Sequence, residues 1–205
     1  SVGASNSQYA PAVQTASAAA NPFAAYLARQ RPLIEGALAE KCPRPLQDHA
    51  RAEQADLDRY LYAPLAHFTE SGGKRTRPAL CLLGAEAVGG RAQDALSLAC
   101  AIEYFQSAAL IHDDLADKSE LRRGEPCVYV TEGTGVAINV GDLALTTVAR
   151  LVLDDRGLAP DVRLRVLDEV VAMEERTLEG QALDLGWARD GRWDISVDDY
   201  LCMAS

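Results

Sequence analysis

Residues 99–111, A-C-A-I-E-Y-F-Q-S-A-A-L-I, constrain this chain more than any other stretch. They are mostly apolar and hold neither glycine nor proline, a composition that suits a buried helix. The run passes straight into I-H-D-D-L-A-D-K-S-E-L-R-R-G (residues 111–124), which puts Asp113, Asp114 and Asp117 just ahead of Arg122 and Arg123. If the helix continues through the acids, Asp113 and Asp117 share one face. Like charges there repel unless a cation sits between them. Mg²⁺ suits such a pair, being a hard ion that takes oxygen ligands, keeps several waters and is often shared with phosphates. The arginines beyond could grip the same phosphates through planar, bidentate hydrogen bonds. A solvated helix end with charges of both signs is the plain alternative.

The rest of the chain reads as helices. Residues 1–22 carry no charge and no helical stripe, and are expected to form a flexible arm. From Phe23 apolar residues recur at helical spacing up to the break before Pro43, and a second helix is expected from about Leu46 through Phe68 with a kink at Pro64. A third runs from the Ser71-Gly72-Gly73 break to about Val88, and Gly89-Gly90 stops it. The central helix is expected over about 92–117, a loop over 118–134, an apolar helix over 136–153, and a long amphipathic helix over 161–185 opened by Pro160-Asp161. Strand signal is confined to the short run Cys127-Val128-Tyr129-Val130. The fold class is therefore all-α, with residues 23–205 belonging to a single domain.

Composition narrows the partners. A net charge of −10 argues against nucleic acid, because no basic field is present to drive counterion release. Phosphates must then be handled by local cations or metal. Five scattered cysteines (Cys42, Cys81, Cys100, Cys127, Cys202) offer no close pair, hence no disulfide framework or zinc site, and point to a reducing, cytoplasmic setting. No integral membrane segment or signal peptide is expected.

Gly72-Gly73-Lys74-Arg75-Thr76-Arg77-Pro78 packs three cations behind two glycines at a helix start. Glycine lets backbone approach an anion closely, and a helix N-terminus adds free N–H groups. Lys74 and Arg77 are three apart and are expected to project from one face towards one diphosphate. An exposed basic turn is the alternative.

Taken together, G-G-K-R-T-R-P, then D-D-x-x-D followed by R-R-G-x-P, then A-I-N-V-G-D (residues 137–142) and G-Q-A-L-D (residues 180–184), resemble the trans-isoprenyl diphosphate synthase family in the family's own order. The resemblance covers roughly residue 61 onwards. It implies an all-α bundle around a deep apolar cavity, usually a homodimer, that condenses isopentenyl diphosphate with an allylic diphosphate. In that chemistry the allylic diphosphate ionises with Mg²⁺, the isopentenyl double bond attacks the cation, and a proton is lost. By motif position, Asp113 and Asp117 bind Mg²⁺ with Asp114 supporting or sharing the role, and Arg122 and Gln181 bind the allylic diphosphate. Lys74, Arg77, Gln106 and Arg123 bind isopentenyl diphosphate. Ala108 and Ala109, just over a turn before Asp113, and Phe105 beyond them are the expected cavity floor. The small alanines point to a product of about twenty carbons, unless they serve only close helix packing.

Departures from the pattern matter as well. Family members carry, further on, a Lys-Thr pair, a second aspartate-rich motif and another lysine, none of which occurs in these residues; Asp198-Asp199 lies too early to replace them. The expectation is that the 205-residue chain, corresponding to the N-terminal part of such a domain, is inactive or nearly so alone and exposes an apolar face where later helices pack. Two other readings stay open: a non-catalytic partner subunit of a prenyl synthase, and a terpene cyclase, which the basic stretch disfavours.

Overall fold

The fold is organised around α5 (Leu96–Asp117), which forms from the apolar run and carries it through the acids as one helix of 22 residues. This computed structural model describes residues 21–48 and 50–204. Residues 1–20, most of the expected arm, lie outside the described residues, whereas Asn21 and Pro22 already belong to the first helix. Ala99, Cys100, Ala101, Tyr104, Ala108 and Ile111 turn inward from α5. Opposite runs α7 (Thr134–Leu153), which buries Ala137, Val140, Ala144, Val148 and Leu151 and packs on α5 more extensively than any other element does. The two are antiparallel: His112 near the end of α5 donates from Nε2 to the Ile138 carbonyl near the start of α7 at 3.2 Å.

Around this pair lie α1 (Pro22–Glu40), α3 (Ala63–Glu70) and α4 (Thr76–Ala87), which bury Ile34, Leu65 and Leu82 respectively into the same core. The Asn21 side chain caps α1 by accepting from the Phe23 and Ala24 amides at 3.0 and 3.4 Å. The second helix begins later than expected. Leu46 is 85% exposed outside it, and α2 (Arg51–Leu57) starts only at Arg51. A π-helical turn, Asp58–Tyr62, joins α2 to α3, with the Ala63 amide bonding back to Asp58. Pro64 follows it directly, so the residue that lacks an amide hydrogen sits where the ladder is already re-spaced.

A 3-10 turn, Ala92–Ala95, leads into α5. After α5 comes a small ribbon, β1 (Leu121–Arg122) pairing antiparallel with β2 (Glu125–Pro126). The stretch expected as a loop over 118–134 thus holds this ribbon and a short helix, α6 (Val128–Glu132); packing of α6 against α7 and α5 overrides the β-rich local preference of its residues. The long helix α8 (Pro160–Asp190) runs past the expected Leu185 to Gly191, whose left-handed φ of 61° closes it, and α9 (Val197–Ala204) folds back on it. The 3-10 turn with α5, and α7, are each long and apolar enough to cross a bilayer, but about half of each such window is buried inside this bundle. Burial pushes the thiol of Cys81 up to about 11 and that of Cys100 to about 12, as expected for cysteines acting as small core residues.

Candidate functional site

Asp113 and Asp117 stand on the open face of α5, where Gln106 and Ala109 are half-buried behind them. The Asp113 carboxyl is held above the usual carboxylate range, first by burial and then by the charge of Asp117. Gln181 of α8 donates from Nε2 to Asp113 Oδ1 at 2.9 Å, so the motif residues from the two halves of the chain meet here.

Asp114 does not join this pair. One residue is a 100° turn of the helix, and Asp114 is 2% exposed on another side of α5. There it accepts from Arg122 Nε at 2.8 Å and Arg122 Nη2 at 2.7 Å. Of the three aspartates expected at the metal, with Asp114 supporting or sharing the role of the other two, Asp114 thus lies against Arg122 and apart from the pair; among the described residues no group of three or more His, Cys, Asp or Glu gathers as a cation cage. Arg122, expected to hold the allylic diphosphate, is bound at two of its nitrogens to Asp114, which raises its pKa against the opposing effect of burial. Three of its five N–H donors, two on Nη1 and one on Nη2, remain outside that pair.

Arg123, the next residue, points the other way. Its backbone is left-handed at φ 52° and its guanidinium lies 5.8 Å from the centre of the Phe68 ring. Burial lowers its pKa, with the Glu103 charge pulling against that and Arg75 and Arg122 adding to it. It makes no hydrogen bond among the described residues. A Cβ added to Gly73 would lie 3.2 Å from Glu103 Oε1 and 3.3 Å from Arg123 Nη2. Glycine at 73 is thus what lets the basic stretch close on Arg123. The adjacent arginines bridge the two motifs, one held at the acidic end of α5 and the other at the glycine turn.

Within the basic stretch the three cations differ sharply. Lys74 and Arg77 are exposed, but Lys74 precedes α4 instead of sharing its face, because Arg75 at φ 58° is the helix cap. No side chain caps α4, which leaves its first amides to other acceptors. The Lys74 carbonyl accepts from Arg31 Nη2 at 2.9 Å, which ties the turn to α1. Arg75 is internal, donating to Glu35, Glu103 and the Thr69 carbonyl. Sequence reasoning missed Arg75, Glu103 and Glu35 as a unit; the signal for it was the one charged residue, Glu103, in the mostly apolar 99–111 run.

Of the expected cavity floor, Phe105 and Ala109 are half-buried, whereas Ala108 is 3% exposed within the core. Five residues before Asp113 is about 140° away around the helix. Ala108 therefore serves helix packing, and Ala109 and Phe105 alone of the three stand near the open face.

An all-α bundle in which adjacent arginines join an aspartate-rich helix end to a glycine-rich basic turn is the class of protein that the fold and this site define. The polyprenyl synthetase family pattern matches residues 58–205. A short chain isoprenyl diphosphate synthase of Methanothermobacter thermautotrophicus is 40% identical over 139 residues, covering 67% of this chain and 41% of that protein. A farnesyl diphosphate synthase of Geobacillus stearothermophilus is 36% identical over 166 residues, covering 78% and 52%. The crystal structure of a geranylgeranyl pyrophosphate synthetase from Pyrococcus horikoshii superposes with a TM-score of 0.76 at 32% identity, covering 89% of this chain and 51% of that one. The chain belongs to the polyprenyl synthetase family, and it spans about half the length of these relatives.

Proposed function

We propose that this chain carries the diphosphate-binding and aspartate-rich part of a prenyltransferase that joins isopentenyl diphosphate to an allylic diphosphate. The reading is supported above all by the Arg122–Arg123 step, which bonds Asp114 with one residue and borders Gly73 with the next, so the acidic and basic motifs face one another across two side chains. Lys74, Arg77, Gln106 and Arg123 would hold isopentenyl diphosphate, and Arg122 Nη1 with Gln181 would border the allylic diphosphate. Asp113 and Asp117 fit Mg²⁺: both are hard oxygen donors on one helical turn, and the Asp113 carboxyl is held up first by burial and then by the Asp117 charge, so a cation would favour its ionised form. When bound there, the ion neutralises charge on a departing diphosphate. The guanidinium groups of Arg122 and Arg123 add positive charge at fixed positions, so little reorganisation is needed as that charge develops. Ala109, being small, lets the growing chain pass towards Phe105, which favours a geranylgeranyl-sized product. In the cell we place the protein in the cytoplasm as a homodimer.

Calorimetric titration with inorganic pyrophosphate tests the reading. Binding is expected both without metal and, more tightly, with Mg²⁺. Asp113→Ala should abolish the Mg²⁺-dependent gain and leave the circular dichroism unchanged; an undiminished gain would sink the metal assignment. With geranyl and isopentenyl diphosphates the 205-residue chain should give little or no product, because the family's Lys-Thr pair and second aspartate-rich motif do not occur in it. Full turnover would overturn that part.

A further inference from the structure

The middle cation of the basic stretch is sealed from solvent. Arg75 is 2% exposed, and its φ of 58° puts a residue with a side chain in the left-handed region. Such a conformation persists where the surroundings over-determine it. Here they form a polar cage. Arg75 Nε donates to Glu35 Oε1 of α1 at 2.8 Å and Nη2 to Glu35 Oε2 at 3.1 Å. Nη1 donates to Glu103 Oε1 of α5 at 2.8 Å, and Nη2 also donates to the Thr69 carbonyl of α3 at 2.7 Å. Burial pulls the Arg75 pKa down, but the Glu35 and Glu103 hydrogen bonds outweigh it. Three helices and the start of a fourth thus converge on one guanidinium. Stability alone is a poor reason for such a cage, since well-packed apolar side chains often do as well as a buried ion cluster.

Glu103 has a second cationic neighbour. The Oε1 that accepts from Arg75 also lies beside Gly73, and Arg123 Nη2 borders the same glycine. Two residues with left-handed backbones, Arg75 and Arg123, therefore flank one carboxylate whose side chain is only 8% exposed. Within this cluster Glu35 and Glu103 balance Arg75 and Arg123, which leaves Lys74, Arg77 and the Arg31 that donates to the Lys74 carbonyl as the uncompensated charge beside the turn. An anion that carries more than one charge matches that surplus.

We propose that Arg75 and Glu103 are positioning residues for diphosphate binding: Arg75 pins the turn so that Lys74 and Arg77 flank the anion, and Glu103, which anchors Arg75, supplies the negative charge that Arg123 faces across Gly73. The proposal rests on the diphosphate-site reading above. Neither residue needs to touch the ligand. Arg75 works through the backbone of residues 73–76, and Glu103 works through Arg75 and Arg123.

Metal-free titration with inorganic pyrophosphate separates the possibilities, each variant being checked for fold by near-ultraviolet circular dichroism and melting temperature. Arg75→Lys keeps the charge but cannot span both carboxylates, and should weaken binding about tenfold, equivalent to about 1.4 kcal/mol, in protein still folded at the assay temperature. Glu103→Gln is the sharper probe, because its sign is diagnostic. Were Glu103 only a background charge, removing it would tighten the binding of an anion; as a positioning residue its loss weakens binding severalfold. Glu35→Gln, at a carboxylate 40% exposed and so tolerant of change, should give a smaller loss of about two- to threefold. Lys74→Ala is the control for the underlying site. If Lys74→Ala binds like the parent, the diphosphate reading itself fails. If Lys74→Ala weakens binding while folded Glu103→Gln and Glu35→Gln bind as tightly as the parent or tighter, the positioning role is overturned and the site stands.

Discussion

Gly141 sits in the middle of α7, where glycine weakens a helix by roughly 0.5–1 kcal/mol relative to alanine. The reason for it is His112: a Cβ at 141 would overlap the imidazole, which is fixed by its bond to the Ile138 carbonyl. Gly141→Ala should therefore destabilise despite the gain in helix propensity, by about 1–2 kcal/mol, since overpacking costs typically 1–3 kcal/mol. For a chain of this size that is a fall in melting temperature of a few degrees. Adding His112→Ala removes the overlap and should recover much of the loss, a non-additivity that a double-mutant cycle measures directly. Residue-level roles such as this were only partly legible beforehand. Aspartates and arginines announced their chemistry by type and spacing, and Asp113 with Asp117 lies as the helical period requires. But K-R-T-R offers three cations that look alike in sequence. Which of them is internal depends on where α4 is capped and on glutamates 40 and 28 residues away.

At the scale of elements, helix existence followed from composition, and the errors fell where tertiary contacts override local preference. The run Cys127-Val128-Tyr129-Val130 has strand-forming residues, yet it caps and forms α6 because Cys127 is 1% exposed and anchors it beside Asp114. The connection from α5 to α6 is held by a part-buried ion pair. The Asp114 side chain, 3% exposed, binds Arg122 of β1, and the Cys127 amide donates to the Glu120 carbonyl at 2.9 Å. Asp114→Asn should loosen this ribbon by about 2 kcal/mol, the range for hydrogen bonds to charged groups. Hydrogen exchange is the measurement: the Cys127 amide should exchange about thirtyfold faster, while amides in the α5–α7 core keep their protection. The same variant should keep the Mg²⁺-dependent pyrophosphate binding that Asp113→Ala loses, since Asp114 faces its arginine and not the acidic pair. Equal loss in both would return Asp114 to the metal site.

The whole molecule is unevenly finished. The α5–α7 pair buries Tyr104, Ile111, Val140, Val148, Leu151 and Val152, but α8, 31 residues and about 46 Å long, buries only Val170. Its inner side meets the core through Val166 and Leu167. Its outer side carries Leu164, Val171, Leu178 and Leu185, 67%, 49%, 60% and 49% exposed. Seven residues separate each from the next, so they form one stripe that drifts only slowly around the helix. An exposed apolar face was expected without being assigned to any helix; the stripe's position on α8 emerged only once the inner side was known, because the sequence alone shows apolar residues on both sides. A stripe of this length in water favours association. The chain should therefore sediment as a concentration-dependent mixture, and Val171→Glu with Leu178→Glu should shift it towards monomer. Both sites are solvent-facing, so the melting temperature should change little. A sedimentation profile that the charged variant leaves unaltered would mean the stripe is not the associating surface.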